Sequence, residues 1–251
     1  MGKLIINADD FGYSRGVNAG IIEAYSEGLL TSTTIMAGMP GFDEAVELAK
    51  KHKGLGVGVH LTLTCGYPVS SNLKTIVDES GLFMNLSFYE DSKFESLIDL
   101  DEVYAEWKSQ IEKVLESGIK PTHLDSHHHV NNIGKIKDVF VKLAREYSLP
   151  VRNNFDVPSD IKTTSKLIDY FDRIGFVKKI WRGMNCGNLI KDCNTYDSIE
   201  IMCHPAYVDN YLLTHSSFHV DRTSTLKELK DVELKDELNK NKIEMINFSQ
   251  I

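Results

Sequence analysis

The feature that most narrows what this chain can fold into is a repeated order. A short apolar run closes on an ionisable side chain, and an amphipathic helical pattern follows. Leu4–Ala8 runs into Asp9 and Asp10 before a helical pattern from Gly16 to Gly28. Thr31–Met36, rich in β-branched residues, precedes a helical stretch from Asp43 to Lys51. Gly54–Thr64 (GLGVGVHLTLT) alternates faces as a strand does, with His60 as the first bulky polar group on the face shared by Gly56, Gly58, Thr62 and Thr64. Thr122–Val130 (THLDSHHHV) is led into by an apolar helical stripe from Asp101 to Gly118 and followed by one from Ile133 to Tyr147. Ile199–Cys203 ends on His204 and Pro205.

Strand and helix in alternation, joined by short connections, imply right-handed βα units and a parallel sheet whose carboxyl ends gather the functional loops. Asp9, Asp10, His60, His127 and His204 all fall at such ends. A closed or partly closed barrel brings the ends of non-adjacent strands to one rim, whereas an open sheet spreads them along an edge. The expected fold is therefore α/β and barrel-like, one domain over residues 1–251. Residues 66–100 break the alternation and read as an inserted loop able to cover a site. Further along, Leu149–Arg152 reads as a fifth strand with Arg152 near its end, where it could orient a carboxylate or form a surface ion pair. Ser159–Ile174 and Ser224–Leu238 read as helices and Lys242–Phe248 as a terminal strand, while Phe176–Cys193 has no clear period and holds Trp181, read as core.

Charge and cysteine content exclude several classes. The formal net charge of -8, with lysines scattered along the chain, disfavours a nucleic-acid partner. No apolar run approaches membrane-spanning length. Cys65, Cys186, Cys193 and Cys203 lack metal-type or redox-type spacing, and an N-terminus that passes so quickly into Asp9 lacks the features of a secretory signal, so a cytoplasmic protein with reduced thiols is expected.

If Thr122–Val130 is extended, His123, Asp125, His127 and His129 share one face. Imidazole and carboxylate bind divalent metals and move protons near neutral pH. One carboxylate with two imidazoles leaves positions open for water and substrate, as a hydrolytic metal requires. Adjacent aspartates divide the labour, one binding the ion and one accepting the water's proton, provided the loop turns both inward. A strictly extended backbone would not do so. His204 is the histidine best placed to protonate a leaving amine, and Phe11, Tyr13 and Tyr207 lie beside these residues where sugar faces could stack.

The motifs NADDFG (Asn7–Gly12), TSTT (Thr31–Thr34), GVHLTLT (Gly58–Thr64), PTHLDSHHHV (Pro121–Val130) and MCHPAYVD (Met202–Asp209) together resemble the YdjC-type carbohydrate deacetylases. The resemblance implies a (β/α) barrel-like fold distantly similar to polysaccharide deacetylases, a divalent metal usually given as magnesium, and homodimers. The implied reaction removes an N-acetyl group from an amino-sugar oligosaccharide of the chitobiose kind and releases acetate. Carried over by position, Asp10, His60 and His127 match the metal ligands, Asp9 the catalytic base and His204 the acid. Asn131 and Asn132 stand where relatives often have another histidine, and Ala206 where glycine is frequent. Two imidazole ligands suit zinc or manganese as well as magnesium. Two other readings stay open: a sugar-binding or regulatory protein without turnover, and a non-haem metal oxygenase, which uses a similar ligand set.

Overall fold

Lys3–Phe11 forms strand β1, and every residue in it after Lys3 is buried. Burial on both faces is what a near-continuous apolar run demands, and a parallel sheet under helices supplies it. A computed structural model describes residues 2–172 and 184–251, with side chains from 188 onward in the second segment. Parallel to β1 lie β2 (Ser32–Ile35), β3 (Gly56–Leu61), β4 (Leu124–Ser126), β5 (Lys166–Ile168) and β6 (Ser198–Cys203). The order is β4-β3-β2-β1-β6-β5, with a short β7 (Glu244–Met245) on the amino end of β1.

Two single parallel bridges, Leu124 with Val151 and Val151 with Thr163, carry the hydrogen bonding on from β4 towards β5. The strands thus bend round into the barrel-like α/β fold expected from the alternation. Helices α1 (Arg15–Ser26), α2 (Phe42–Lys51), a short α3 (Leu86–Glu90), α4 (Leu100–Glu116) and α5 (Ile136–Tyr147) follow in order along the chain. Ser14 caps α1, its hydroxyl accepting from the Val17 N–H, and Asp99 caps α4 in the same way through Asp101. The described helices include none long and apolar enough to cross a membrane. Cys65, Cys193 and Cys203 are free thiols.

Several expected elements differ. Leu149–Arg152 makes only the bridges at Val151, and the helix expected over Ser159–Ile174 is, through Asp172, a turn followed by β5, the last two of its residues lying outside the described ones. The hydroxyl-rich stretch bonds sideways: Thr163 Oγ1 donates to the Val151 carbonyl (2.7 Å) and the Ser165 N–H to that of Ser198 (3.0 Å). Such lateral partners outweigh a weak helical period. The long helix expected over Ser224–Leu238 is two helices, Asp221–Leu229 and Val232–Lys240, the second capped by Asp231. The terminal strand shrinks to β7, followed by a turn capped by Asn247. Of the stretch Phe176–Cys193, Met184 onward is helical, while Trp181 lies outside the described residues.

Residues 66–100 pack on α4 and also reach the turn that follows β4, where Glu95 Oε1 accepts the Lys135 N–H (3.0 Å). Glu106 accepts the N–H groups of Val69 and Ser70 (2.9 and 2.8 Å), Glu102 those of Lys74 and Thr75 (3.0 and 2.8 Å), and Ile76, Phe83, Tyr89 and Phe94 are buried.

Candidate metal centre and active site

The site begins with a break in β1. Asp10 has a φ of 71°, a left-handed conformation that costs a non-glycine residue about 1 kcal/mol or more, and the register against β2 shifts between Ala8 and Phe11. In an unbroken strand Asp9 and Asp10 would face opposite ways. Here the turn brings both into one cavity. Asn18 on α1 holds the bend: its Oδ1 accepts the Gly12 N–H (2.7 Å) and its Nδ2 donates to the Gly41 carbonyl (3.0 Å).

Asp10 Oδ1 then lies 3.0 Å from His127 Nδ1 and 3.4 Å from His60 Nε2, with all three residues buried. These separations suit donors that share one ion through bonds of about 2.0–2.2 Å. Neither Asp10 Oδ1 nor His60 Nε2 makes a hydrogen bond, a state that is costly for buried polar atoms unless something else satisfies them. The donors therefore fit a small divalent cation. The far sides of His60 and Asp10 are already held. Asp125 Oδ1 takes His60 Nδ1 at 2.7 Å, which fixes the ring with Nε2 inward, and Asp10 Oδ2 accepts from Arg222 Nη2 at 2.8 Å.

Burial alone would neutralise these groups, but their neighbours prevail. Desolvation pulls the His60 pKa down, yet Asp125 and Asp9 raise it to about 9. Burial pushes Asp10 up, while Arg222 and His127 hold it well below the usual carboxylate range. A pocket this rich in carboxylate attracts cations, whether protons on imidazole or a metal between the rings.

Asp9 is set differently. It receives a two-pronged bond from Arg152, Nη1 to Oδ2 at 2.8 Å and Nη2 to Oδ1 at 2.6 Å, and Asn7 Nδ2 donates to Oδ1 at 3.0 Å. Burial opposes ionisation here, but the Arg152 guanidinium outweighs it and keeps the carboxyl ionised. Arg152, wholly buried, also reaches Asp125 Oδ2 (2.9 Å) and Glu200 Oε1 (2.8 Å). Asp9, His60 and Asp125 are close enough to share an ion as well. The guanidinium already serves both of those carboxylates, which leaves Asp10, His60 and His127 as the group in want of a cation. With three carboxylates on one guanidinium, burial raises Glu200 to about 7 although Arg152 pulls the other way.

His204 leaves the end of β6 with Nδ1 2.6 Å from Asp172 Oδ2 and Nε2 3.8 Å from Asp9 Oδ2. Asp172 also accepts from Thr225 Oγ1 (2.5 Å). These groups share a cavity of about 390 Å³ walled by Tyr13, Cys65, Phe218 and residues of the histidine triplet.

The structure thus brings together Asp9, Asp10, His60, His127 and His204, the five residues singled out in the sequence. It separates others. The strand ends at Ser126, so the alternation expected to carry His129 beside His127 stops there, and His128 and His129 both take a φ of 54°. His128 bonds Thr64 Oγ1 (2.9 Å) and His129 bonds Asn154 Nδ2 (2.8 Å), and burial, aided by neighbouring cationic groups, lowers their pKa to about 3 and 4. They are neutral walls of the cavity. His123 lies away from it, stacked on Phe248 with ring centroids 3.7 Å apart. Phe11 is core, and Tyr207 bonds Glu23 outside the cavity; of the three aromatics only Tyr13 lines it. None of residues 66–100 lines it, whereas Ser216–Phe218 do. Asp172 and Arg222 escaped sequence reasoning. One sits in a stretch with a misleading helical period and the other in a charged helix, and neither carries a local pattern that marks a site.

Comparison with known proteins gives a consistent result. The sequence model of the family described as YdjC-like protein matches residues 3–240. A carbohydrate deacetylase from Clostridium beijerinckii is 40% identical over 256 residues, covering 99% of this chain and 100% of the relative. One from Brevibacillus brevis is 40% identical over 253 residues, covering 99% of each. A crystal structure from Enterococcus faecalis V583, of a protein assigned provisionally to cellobiose-phosphate cleavage, superposes with a TM-score of 0.87 at 34% identity, covering 99% of this chain and 98% of that one. A Streptococcus mutans CE4 esterase shares the fold alone, with a TM-score of 0.52 at 9% identity over 98% of this chain and 85% of that one.

Proposed function

This chain belongs to the YdjC-like family, and from that premise we propose that it is a metal-dependent hydrolase that removes N-acetyl groups from amino-sugar oligosaccharides of the chitobiose kind. One observation carries the reading. Asp10 Oδ1, His60 Nε2 and His127 Nδ1 converge beside a second, ionised carboxylate and a carboxylate-backed histidine, all on one cavity. Relatives over the full length are named carbohydrate deacetylases, which supports the same class of reaction.

Asp10, His60 and His127 would hold the ion. When bound, a divalent ion acidifies water and stabilises negative charge on the acetyl oxygen. Asp9, kept ionised by Arg152, takes a proton from the attacking water as the new C–O bond forms. His204 Nε2 gives a proton to the departing nitrogen as the C–N bond breaks, so the products are acetate and a free amino sugar. Asp172 on Nδ1 orients that ring. A sugar-binding protein without turnover would have no use for a base and an acid beside the ligand set, and an oxygenase would need neither.

Family resemblance assigns magnesium, whereas two imidazoles on one carboxylate suit zinc or manganese. Chelator-treated protein reloaded with magnesium, zinc or manganese and assayed for acetate from diacetylchitobiose tests both points. Acetate is expected with at least one ion and none without; no release with any of the three ions sinks the reading. The homodimer and the cytoplasmic setting belong to the same reading, and sedimentation of the purified chain and cell fractionation test them.

A further inference from the structure

Arg222 touches both halves of this machinery. Its Nη2 donates to Asp10 Oδ2 (2.8 Å), its Nε to the Phe218 carbonyl (2.7 Å), and its own carbonyl accepts the Ala206 N–H (3.3 Å), two residues past His204. The side chain is almost wholly buried, with the guanidinium 5.4 Å from the Phe218 ring, which in turn meets the His204 ring edge-on at 5.8 Å. The same helix sends Thr225 to Asp172. Helix Asp221–Leu229 therefore braces the ligand carboxylate through one residue and the partner of His204 through another.

We propose that Arg222 is a positioning residue that makes Asp10 a one-oxygen ligand and links its placement to the cavity wall beside His204. A carboxylate free to rotate can offer both oxygens to a cation. Here Oδ2 is committed to Arg222 and only Oδ1 faces the histidines. A buried guanidinium on the outer side of the ligand also repels a divalent ion, so the arrangement gives up affinity for geometry. A residue that merely held the fold together would do neither.

This inference rests on the proposed metal site, and the test separates the two. Arg222→Met and Arg222→Lys are compared with the wild type for divalent-ion affinity by calorimetry on metal-free protein, and for kcat and KM in acetate release. Arg222→Met is expected to bind the ion at least about threefold more tightly, because a like charge has gone. Its kcat is expected to fall about tenfold or more while KM changes little, because the ligand is no longer oriented. Arg222→Lys, which keeps the charge, is expected to bind the ion as the wild type does and to recover part of kcat. Affinity in Arg222→Met that equals or falls below the wild type overturns the proposal. If that variant does not fold, Arg222→Lys decides: unchanged affinity with reduced kcat supports the assignment, and any other result overturns it. A wild-type chain that binds the ion without releasing acetate would overturn the deacetylase reading and leave the affinity comparison standing.

Discussion

His123 and His127 stand four residues apart on either side of one short strand, and both are buried. Their surroundings are opposite. His127 meets a carboxylate and an open cavity at the carboxyl end of β4, and although burial works against charge, Cys65 and Asp10 raise its pKa well above the ordinary value. His123 lies stacked on Phe248 with Thr122 Oγ1 as its partner, and burial, with Arg152 adding to it, pushes its pKa down to about 3. Histidine count therefore says little about function in this chain. What assigns the role is which end of the barrel a side chain faces and whether a carboxylate waits there.

The largest effect should come from His127→Ala. It is expected to abolish measurable acetate release and weaken ion binding, as removal of one of three ligands should. Wild-type turnover in that variant would erase the contrast with His123. The same contrast extends to the aspartates at the active rim. Asp9→Asn keeps shape and loses the base, so kcat should fall about 10²–10⁴-fold, while calorimetry should still find an ion bound, since Asp9 lies outside the ligand set.

Asp172→Asn should cost about tenfold in kcat. A neutral amide holds His204 Nδ1 less firmly than the carboxylate does, so the ring is less well oriented and kcat should fall while KM changes little. An unchanged kcat would show that Asp172 serves packing alone.

The smallest effect is the mirror image of the first. His123→Phe is expected to leave turnover at the wild-type level and to change only how stability depends on pH. In the folded protein His123 stays neutral down to about pH 3, whereas its ordinary pKa is 6.5. Between those values the unfolded chain binds the extra proton, so this residue makes stability fall as pH drops from about 6.5 towards 3, by up to about 1.4 kcal/mol per unit. Urea unfolding at pH 7 and pH 5 should show the wild type losing about 2 kcal/mol more than the variant over that interval. Equal losses would mean that His123 is not held neutral.

Much of this was readable from local pattern. The apolar runs of β1, β3 and β6, each ending on an ionisable group, were enough to foresee parallel strands and to pick Asp9, Asp10, His60, His127 and His204 as rim residues, because strand alternation and βα order are local properties of the chain. Arg152 was visible as a candidate orienter but not as the buried centre of three carboxylates, since a surface ion pair reads the same in one dimension. The loop over residues 66–100 could be delimited by its lost alternation but not docked, because its length says nothing about what it packs on; the carboxylates of Glu102 and Glu106 on α4 hold it there.

The sequence by itself determined the architecture and the types of side chain that reach the rim, because periodicity and residue chemistry act over a few neighbours. Only tertiary structure could decide which of them share a cation. The left-handed turn at Asp10, the guanidinium that claims Asp9 and the braces from Asp172 and Arg222 join positions up to 212 residues apart. Such pairings depend on how the barrel curls round, and no window of sequence contains them.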